Sequence, residues 1–340
     1  MKIRLLLPMA ALLALCACHG TDTPGEVPEA AQSVFARGAD ASWVTEMEAA
    51  GKLFYNAQGQ QTECFTLLKS LGFNAIRLRV WVNPANGYNG LEDVVAKAVR
   101  AKNLGMSVMV DFHYSDSWAD PGQQNPPAAW KDYDLAQMAS AVREHTSAVL
   151  TALKEKGVQV DWVQTGNETP SGMLWPIGKV SESTGGAAFA TLALAGYEAA
   201  KAVYPKAKVL LHIDKGENLN RSTWFLDLVR KGGAKWDVIG LSLYPEEKTW
   251  ESYVKNCIAN MMSLANTYGC ETMVCEVGAP WDAAWAGDFL NAIVQGALTT
   301  AGCLGVFYWE PECYGNWNGY TKGAFDNSGK PCAALGAFAQ

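Results

Sequence analysis

Two glutamates are placed to do chemistry. Glu168 closes the run Trp162-Val163-Gln164-Thr165-Gly166-Asn167, and Glu276 closes Thr272-Met273-Val274-Cys275. Both runs read as short strands, so each carboxylate stands where a strand gives out. A carboxylate directly after Met-Val-Cys is costly to bury unless a cation pairs with it or a reaction needs it. Two such groups facing each other across a sugar-sized gap are the equipment for cleaving a glycosidic bond. An isolated Asn-Glu pair could equally cap a following helix. The strand-end position is what favours the chemical reading.

The elements that must position these residues repeat one rhythm. Strand-like runs cover 35–40, 74–81, 106–112, 160–166, 208–213, 238–243, 272–277 and 304–309. Most are near-continuous apolar stretches, as strands buried on both faces should be. Between them, apolar residues recur three and four apart. Leu91, Val94, Val95 and Ala98 form one stripe, and Met138, Val142, His145, Val149 and Ala152 another. Val254, Cys257, Ile258, Met261 and Ala265 form a third, and each stripe is one face of a helix. Strand and helix alternating eight times predict an α/β fold, a single (β/α)8 TIM barrel. A doubly wound open sheet is the other arrangement, but no Gly-rich phosphate loop follows the first strand. In a barrel the active site lies at the C-terminal rim of the strands, where both glutamates fall.

Apolar residues make up 49% of the 340 and charged residues 18%, which suits one large core and argues against disorder. The net charge of -7 and the lack of a basic run argue against a nucleic-acid partner. No composition break divides residues 34–340, which read as one domain. Residues 1–18 read as a targeting segment, in which Lys2 and Arg4 precede an apolar run too short to span a bilayer. The segment ends Leu15-Cys16-Ala17-Cys18, which resembles a bacterial lipobox with Cys18 as the lipidated residue. An ordinary cleaved signal peptide is the alternative. Residues 19–33, with Pro24, Gly25 and Pro28, read as a flexible tether. The chain is expected to be exported, to be held at the outer membrane or cell surface by its lipid alone, and to act as a monomer. An oxidising compartment leaves Cys313 with Cys332, or Cys257 with Cys270, as possible bridges. No Cys-x-x-Cys or Cys/His cluster points to a metal, and no cofactor motif is present.

Several longer segments carry a family resemblance. They are Arg37-Gly38-Ala39-Asp40, Ile76-Arg77-Leu78-Arg79-Val80-Trp81-Val82-Asn83-Pro84, Gly166-Asn167-Glu168 and Cys275-Glu276. The longest is Asp111-Phe112-His113-Tyr114-Ser115-Asp116-Ser117-Trp118-Ala119-Asp120-Pro121, and the last is Gly305-Val306-Phe307-Tyr308-Trp309-Glu310-Pro311. Together they resemble the endo-β-1,4-galactanases of glycoside hydrolase family 53, in the clan of retaining barrel glycosidases. The resemblance covers almost all of residues 35–331. It implies Glu168 as general acid/base, Glu276 as nucleophile, and β-1,4-galactan, the side chain of pectin, as substrate.

The same resemblance implies Asn167 on the sugar 2-hydroxyl, Tyr244 donating to the nucleophile, and Trp309 as the floor under the sugar before the cleavage point. Asp120, Asp214 and Lys215 match positions where the family contacts the chain. His113 could bond the sugar or the carboxylate array, or be a structural histidine. Trp81, Trp118, Trp281 and Trp317 are candidate stacking platforms, since flat apolar sugar faces pack on aromatic rings. Arg77 and Arg79 alternate with apolar residues, so both point into the lumen. Arg79, nearer the rim, is expected to pair with Glu276; a structural ion-pair layer is the alternative for both.

Two departures from the family pattern stand out. Many bacterial members carry an Asp- and His-rich calcium-binding insertion after the seventh strand. Here Gly278-Ala279-Pro280-Trp281 runs almost at once into a helix at 286–300, and segment 310–330 is also short. No structural calcium and a more open groove are expected. A glycosidase of the same clan acting on mannan, cellulose or xylan is disfavoured only by the family-specific segments. A sugar-binding lipoprotein without catalysis is disfavoured by the two carboxylates and the Arg, Asn and Tyr that complement them.

Overall fold

A computed structural model describes residues 34–339. The expected targeting segment, Cys18 and the tether lie outside the described residues. Eight strands, Ala36–Asp40, Ala75–Val80, Ser107–Phe112, Trp162–Thr165, Lys208–Ile213, Val238–Leu243, Glu271–Val277 and Cys303–Trp309, close into a barrel. Every neighbouring pair is parallel, and the eighth strand returns to the first with Asp40 opposite Trp309. Helices α1 (Val44–Ala49) and α2 (Cys64–Ser70) follow the first strand. Then α3 (Leu91–Asn103), α4 (Leu135–Glu155), α5 (Ala187–Val203), α6 (Leu219–Lys231), α7 (Trp250–Tyr268) and α8 (Ala286–Thr299) follow the next six in turn.

The strands bury two separate apolar layers. One lies between barrel and helices; the other plugs the lower lumen with Ala36, Ala75, Met109, Trp162, Leu210, Val238, Met273, Cys275, Leu304 and Phe307. The plug fits because large and small residues are paired across it. A Cβ on Gly38 would lie 2.1 Å from the Phe307 ring, and one on Gly240 would lie 2.5 Å from Cys275 Sγ. Above the plug the lumen turns polar, with Asp40, Arg77, Asp111, Gln164, His212 and Ser242 all buried. Polar groups at that depth persist only where they satisfy one another, so this layer is the foundation of the site.

Three expectations need correction. The fourth strand, Trp162–Thr165, is shorter than the 160–166 run at both ends, and at its C-terminal end Gly166 turns the chain away at φ 95°. On α3 the core face holds Val94, Lys97, Ala98 and Ala101, while Leu91 in the first turn is 39% exposed. Lys97 can take a core position because its ammonium pairs with Asp93 at 2.7 Å and donates to the carbonyl of Ser42 at 2.6 Å. Finally, all seven cysteines of the described residues are free, so neither suggested bridge forms. Cys275 and Cys257 pack as small apolar groups instead.

Candidate active site

The site is built on one guanidinium. Arg77 rises from the second strand into the polar lumen, where its Nη1 meets Asp40 Oδ2 at 2.7 Å and Glu276 Oε1 at 2.9 Å. Its Nη2 meets Asp111 Oδ2 at 2.9 Å and donates to Asn167 Oδ1 at 3.0 Å. Gln164 Oε1 accepts from Nε and Nη2, which completes the fork. Three carboxylates therefore converge on one buried cation. Burial pushes the Asp111 carboxyl up, but Arg77 and His113 outweigh it and hold the group below its usual range.

Glu276 reaches this cluster through an irregularity in its strand. Strict alternation would turn the neighbour of lumen-facing Cys275 outward. The pairing with the sixth strand shifts between Leu241–Val274 and Ser242–Glu276, and the eighth strand pairs irregularly at the same level. The extra residue lets Cys275 and Glu276 both face inward, as bulges beside active sites do. Glu276 is 5% exposed, and its Oε2 accepts the Tyr244 hydroxyl at 2.9 Å. Burial raises its pKa and Arg77 opposes this, while Asp111 and Asp40 add to the rise.

Glu168 sits across the groove on a strained turn. Its left-handed backbone, φ 45° and ψ 61°, is uncommon for a non-glycine residue and aims the side chain over the rim. Burial pushes its pKa well above the carboxylate range, the charge of Glu276 pushes it further, and Ser242 and Arg77 oppose. Of the two carboxyls, Glu168 holds its proton more tightly and Glu276, clamped between Arg77 and Tyr244, is the one that ionises.

These groups open into a groove of about 470 Å³ that also exposes Trp43, His113, Trp118, Asp120, Asn167, Tyr244, Trp309 and Tyr320. Asn167 is fixed through its Nδ2 to the carbonyl of Ala119 at 2.9 Å. His113 Nδ1 accepts the Ala119 N–H at 3.1 Å, so its Nε2 carries hydrogen toward Asp111 at 3.1 Å. Trp309 packs edge-on against Trp43 and Tyr320, with centroids 5.3 and 4.6 Å away. Asp214 and Lys215 line an adjoining hollow of about 290 Å³ that shares Glu168 and Tyr244 with the main groove.

Four expected site residues are placed otherwise. Arg79 is fully buried and does not meet Glu276. It pairs with Glu310 and lies under aromatic rings, 4.4 Å from the Trp118 centroid and 5.0 Å from Trp43. Depth explains the exchange: an arginine side chain is long, so the residue two positions deeper delivers its charge to the rim while Arg79 overshoots into the aromatic layer. Trp81 is a support and not a platform, packed against Trp118 at 5.3 Å with its N–H toward His113. Trp317 turns toward Lys52, and Trp281 lines a neighbouring pocket with Asn316 and Tyr314 that shares Tyr320 with the main groove. Residues missed from the sequence include Asp40, Asp111, Gln164, His212 and Ser242. Polar side chains interrupting apolar strand runs were the available signal. Among the described residues no group of three or more His, Cys, Asp or Glu side chains could hold a metal ion.

A closed parallel barrel whose rim groove holds paired carboxylates defines a class, the barrel glycoside hydrolases. Residues 36–300 match the model of glycosyl hydrolase family 53, and the chain belongs to that family. It is 33% identical over 310 residues to the endo-beta-1,4-galactanase of Bacillus subtilis, covering 82% of this chain and 70% of that one. It is 30% identical over 331 residues to the arabinogalactan endo-beta-1,4-galactanase of Humicola insolens, covering 89% and 98%. Among solved structures, a fungal beta-1,4-galactanase superposes with a TM-score of 0.82 at 29% identity, covering 88% of this chain and 98% of that one. The family 53 catalytic domain of Ignisphaera aggregans superposes at 0.80 and 28% identity, covering 89% and 95%.

Proposed function

We propose that this chain is a retaining endo-β-1,4-galactanase cutting the galactan side chains of pectin, with Glu168 as general acid/base and Glu276 as nucleophile. One observation carries the assignment of roles. Glu276 alone has a cation and a phenol on its two oxygens, whereas Glu168 has the greater tendency to keep its proton. The substrate follows from the family and from relatives named for that activity.

The geometry supports a two-step reaction. A galactosyl unit packs on Trp309, and the second hydrogen of Asn167 Nδ2 is available to its 2-hydroxyl. Glu168 gives its proton to the departing glycosidic oxygen while a Glu276 oxygen attacks the anomeric carbon. That attack consumes the charge of Glu276, which was one cause of the high pKa of Glu168. Glu168, left ionised by that proton transfer and no longer facing a charged Glu276, can then take a proton from the attacking water as general base. Retention requires the two carboxyls about 5–5.5 Å apart.

Two substitutions test this. Glu276→Ala should abolish hydrolysis of galactan, and azide should restore turnover of an activated aryl galactoside with inverted stereochemistry. Azide rescue with retained configuration would overturn the assignment. Glu168→Ala should cripple cleavage of galactan far more than of dinitrophenyl galactosides, which need no proton to leave. Export and anchoring through Cys18 belong to the same proposal. They predict that Cys18→Ala releases activity from the membrane fraction.

A further inference from the structure

The barrel end opposite the sugar groove carries a charge pattern that the proposed reaction does not use. Helices α2–α8 all finish on this rim, where the strands begin, so the negative ends of their dipoles point out of it. Three lysines answer that directly. Lys69 donates to the Leu104 carbonyl behind α3, Lys102 to the Lys156 carbonyl behind α4 at 2.8 Å, and Lys154 to the Val203 carbonyl of α5 at 2.9 Å. Capping of this kind is a structural role and needs no partner.

A second set has no such use. Lys156, Lys206, Lys231 and Lys235 are exposed on the same rim, and among the described residues their ammonium groups form no ion pair and cap no carbonyl. The acids of this rim are Glu155, Asp161, Asp237 and Glu271. Asp237 is neutralised by Lys201 at 2.6 Å and Glu271 by Lys208, while the Asp161 carboxylate accepts the Val108 N–H at 3.1 Å. Cations therefore outweigh acids here, in a chain whose net charge is -7. Two hollows of about 420 and 730 Å³ meet at Lys206, and half-buried Trp236 lines the larger. Such a face fits a polyanion.

The path of the chain says which polyanion. The first strand begins at Ala36 on this same rim, so the peptide preceding Val34 joins the barrel here. Residues 19–33 separate Cys18 from Val34, and a flexible chain of that length spans about 20 Å. A lipid on Cys18 would thus keep the lysines within a few screening lengths of about 8 Å from the headgroups. We infer that the lysine rim at the strand N-termini is a membrane-facing surface, which docks on the phosphates of anionic lipids and holds the sugar groove outward. The orientation rests on the reading of Cys18 as the lipid anchor; the attraction to lipid rests on the lysines alone. An acidic polysaccharide is the other polyanion to consider, but this rim would hold it at the far end of the barrel from Glu168 and Glu276.

Residues 34–340 hold the closed barrel and both its apolar layers, so they can be tested without any lipid. This protein should sediment with phosphatidylcholine vesicles containing about 30% phosphatidylglycerol at about 50 mM NaCl. It should not sediment with pure phosphatidylcholine, nor with the anionic vesicles at about 300 mM NaCl. The combined variant Lys156→Gln, Lys206→Gln, Lys231→Gln and Lys235→Gln should weaken partitioning about thirtyfold or more. Its Tm and its hydrolysis of soluble galactan should match wild type, because none of the four side chains bonds to the fold. The same exchange at Lys131, Lys179, Lys248 and Lys255, toward the groove end, should leave partitioning unchanged. Equal losses from the two sets, or vesicle binding that survives the rim variant, would overturn the inference. So would retention on immobilised polygalacturonate without binding to vesicles. Failure of the anchor reading is seen separately, as native protein whose mass carries no acyl chains; the vesicle result, obtained without a lipid, does not depend on it.

Discussion

Arg77 and Arg79 show how far apart two chemically identical neighbours can be in role. Arg77 is the counter-charge for three carboxylates, and its planar fork serves them from different edges at once. Lysine offers a single point charge and cannot reproduce that geometry. Arg77→Lys should therefore lower kcat/KM at least a hundredfold and shift the acid limb of the pH profile upward, because Glu276 loses the group that favours its ionised form. Arg79→Lys should disturb the Trp43 and Trp118 packing and the pairing with Glu310, lowering Tm and raising KM. Its acid limb should stay where the wild type has it. A pH–rate series on the two variants checks this, and a shift of the acid limb in Arg79→Lys would contradict the assignment of Arg77 as the partner of Glu276.

At the level of elements, the seventh strand couples packing to chemistry. Its irregular register turns both Cys275 and Glu276 inward, and the room for Cys275 exists only because Gly240 opposite has no side chain. Gly240→Ala would press a methyl group against the sulfur and, through the adjoining backbone, displace Glu276. We expect a stability loss of about 1–3 kcal/mol with a disproportionate fall in kcat. Cys275→Ala in the same chain should recover most of both, because it removes the clashing atom; simple addition of the two single effects would show that the sites are not coupled. This irregularity also marks where the sequence stopped being legible. The eight apolar runs identified the strands to within a residue or two, and the strand-end glutamates identified the rim. Nothing in Thr272-Met273-Val274-Cys275-Glu276 announces a register shift, since local propensity is the same either way. Nor does alternation reveal how deep a long side chain sits, so it does not tell Arg77 from Arg79 as the partner of Glu276 or a supporting Trp81 from a platform. The polar lumen was hidden because its partners come from strands far apart in sequence, whereas Lys97 has its ion-pair partner Asp93 one turn before it on α3 and only the Ser42 carbonyl comes from afar.

For the whole molecule, the notable consequence is a store of buried acid beyond Glu168 and Glu276. Glu310 follows the eighth strand, accepts the N–H of Trp43 at 3.1 Å and pairs with Arg79, while Glu312 lies beside it fully buried. Neither oxygen of Glu312 has a well-formed hydrogen bond. Burial and the neighbouring Glu310 push its pKa well above the carboxylate range, so it is the neutral member of the pair. The sign of the effect on stability follows directly. In the unfolded chain a glutamate releases its proton near pH ~4.3, whereas folded Glu312 retains it to much higher pH. Between those values the folded state binds more protons, so stability falls as pH rises through the window, by up to about 1.4 kcal/mol per pH unit. Glu312→Gln keeps the shape, can donate to Glu310 and cannot ionise. Its Tm should match the wild type near pH 4 and exceed it by a margin that widens steadily toward pH 8, by several degrees overall. Parallel Tm curves for the two proteins across that range would mean that Glu312 is already ionised in the fold and that Arg79 neutralises both carboxylates.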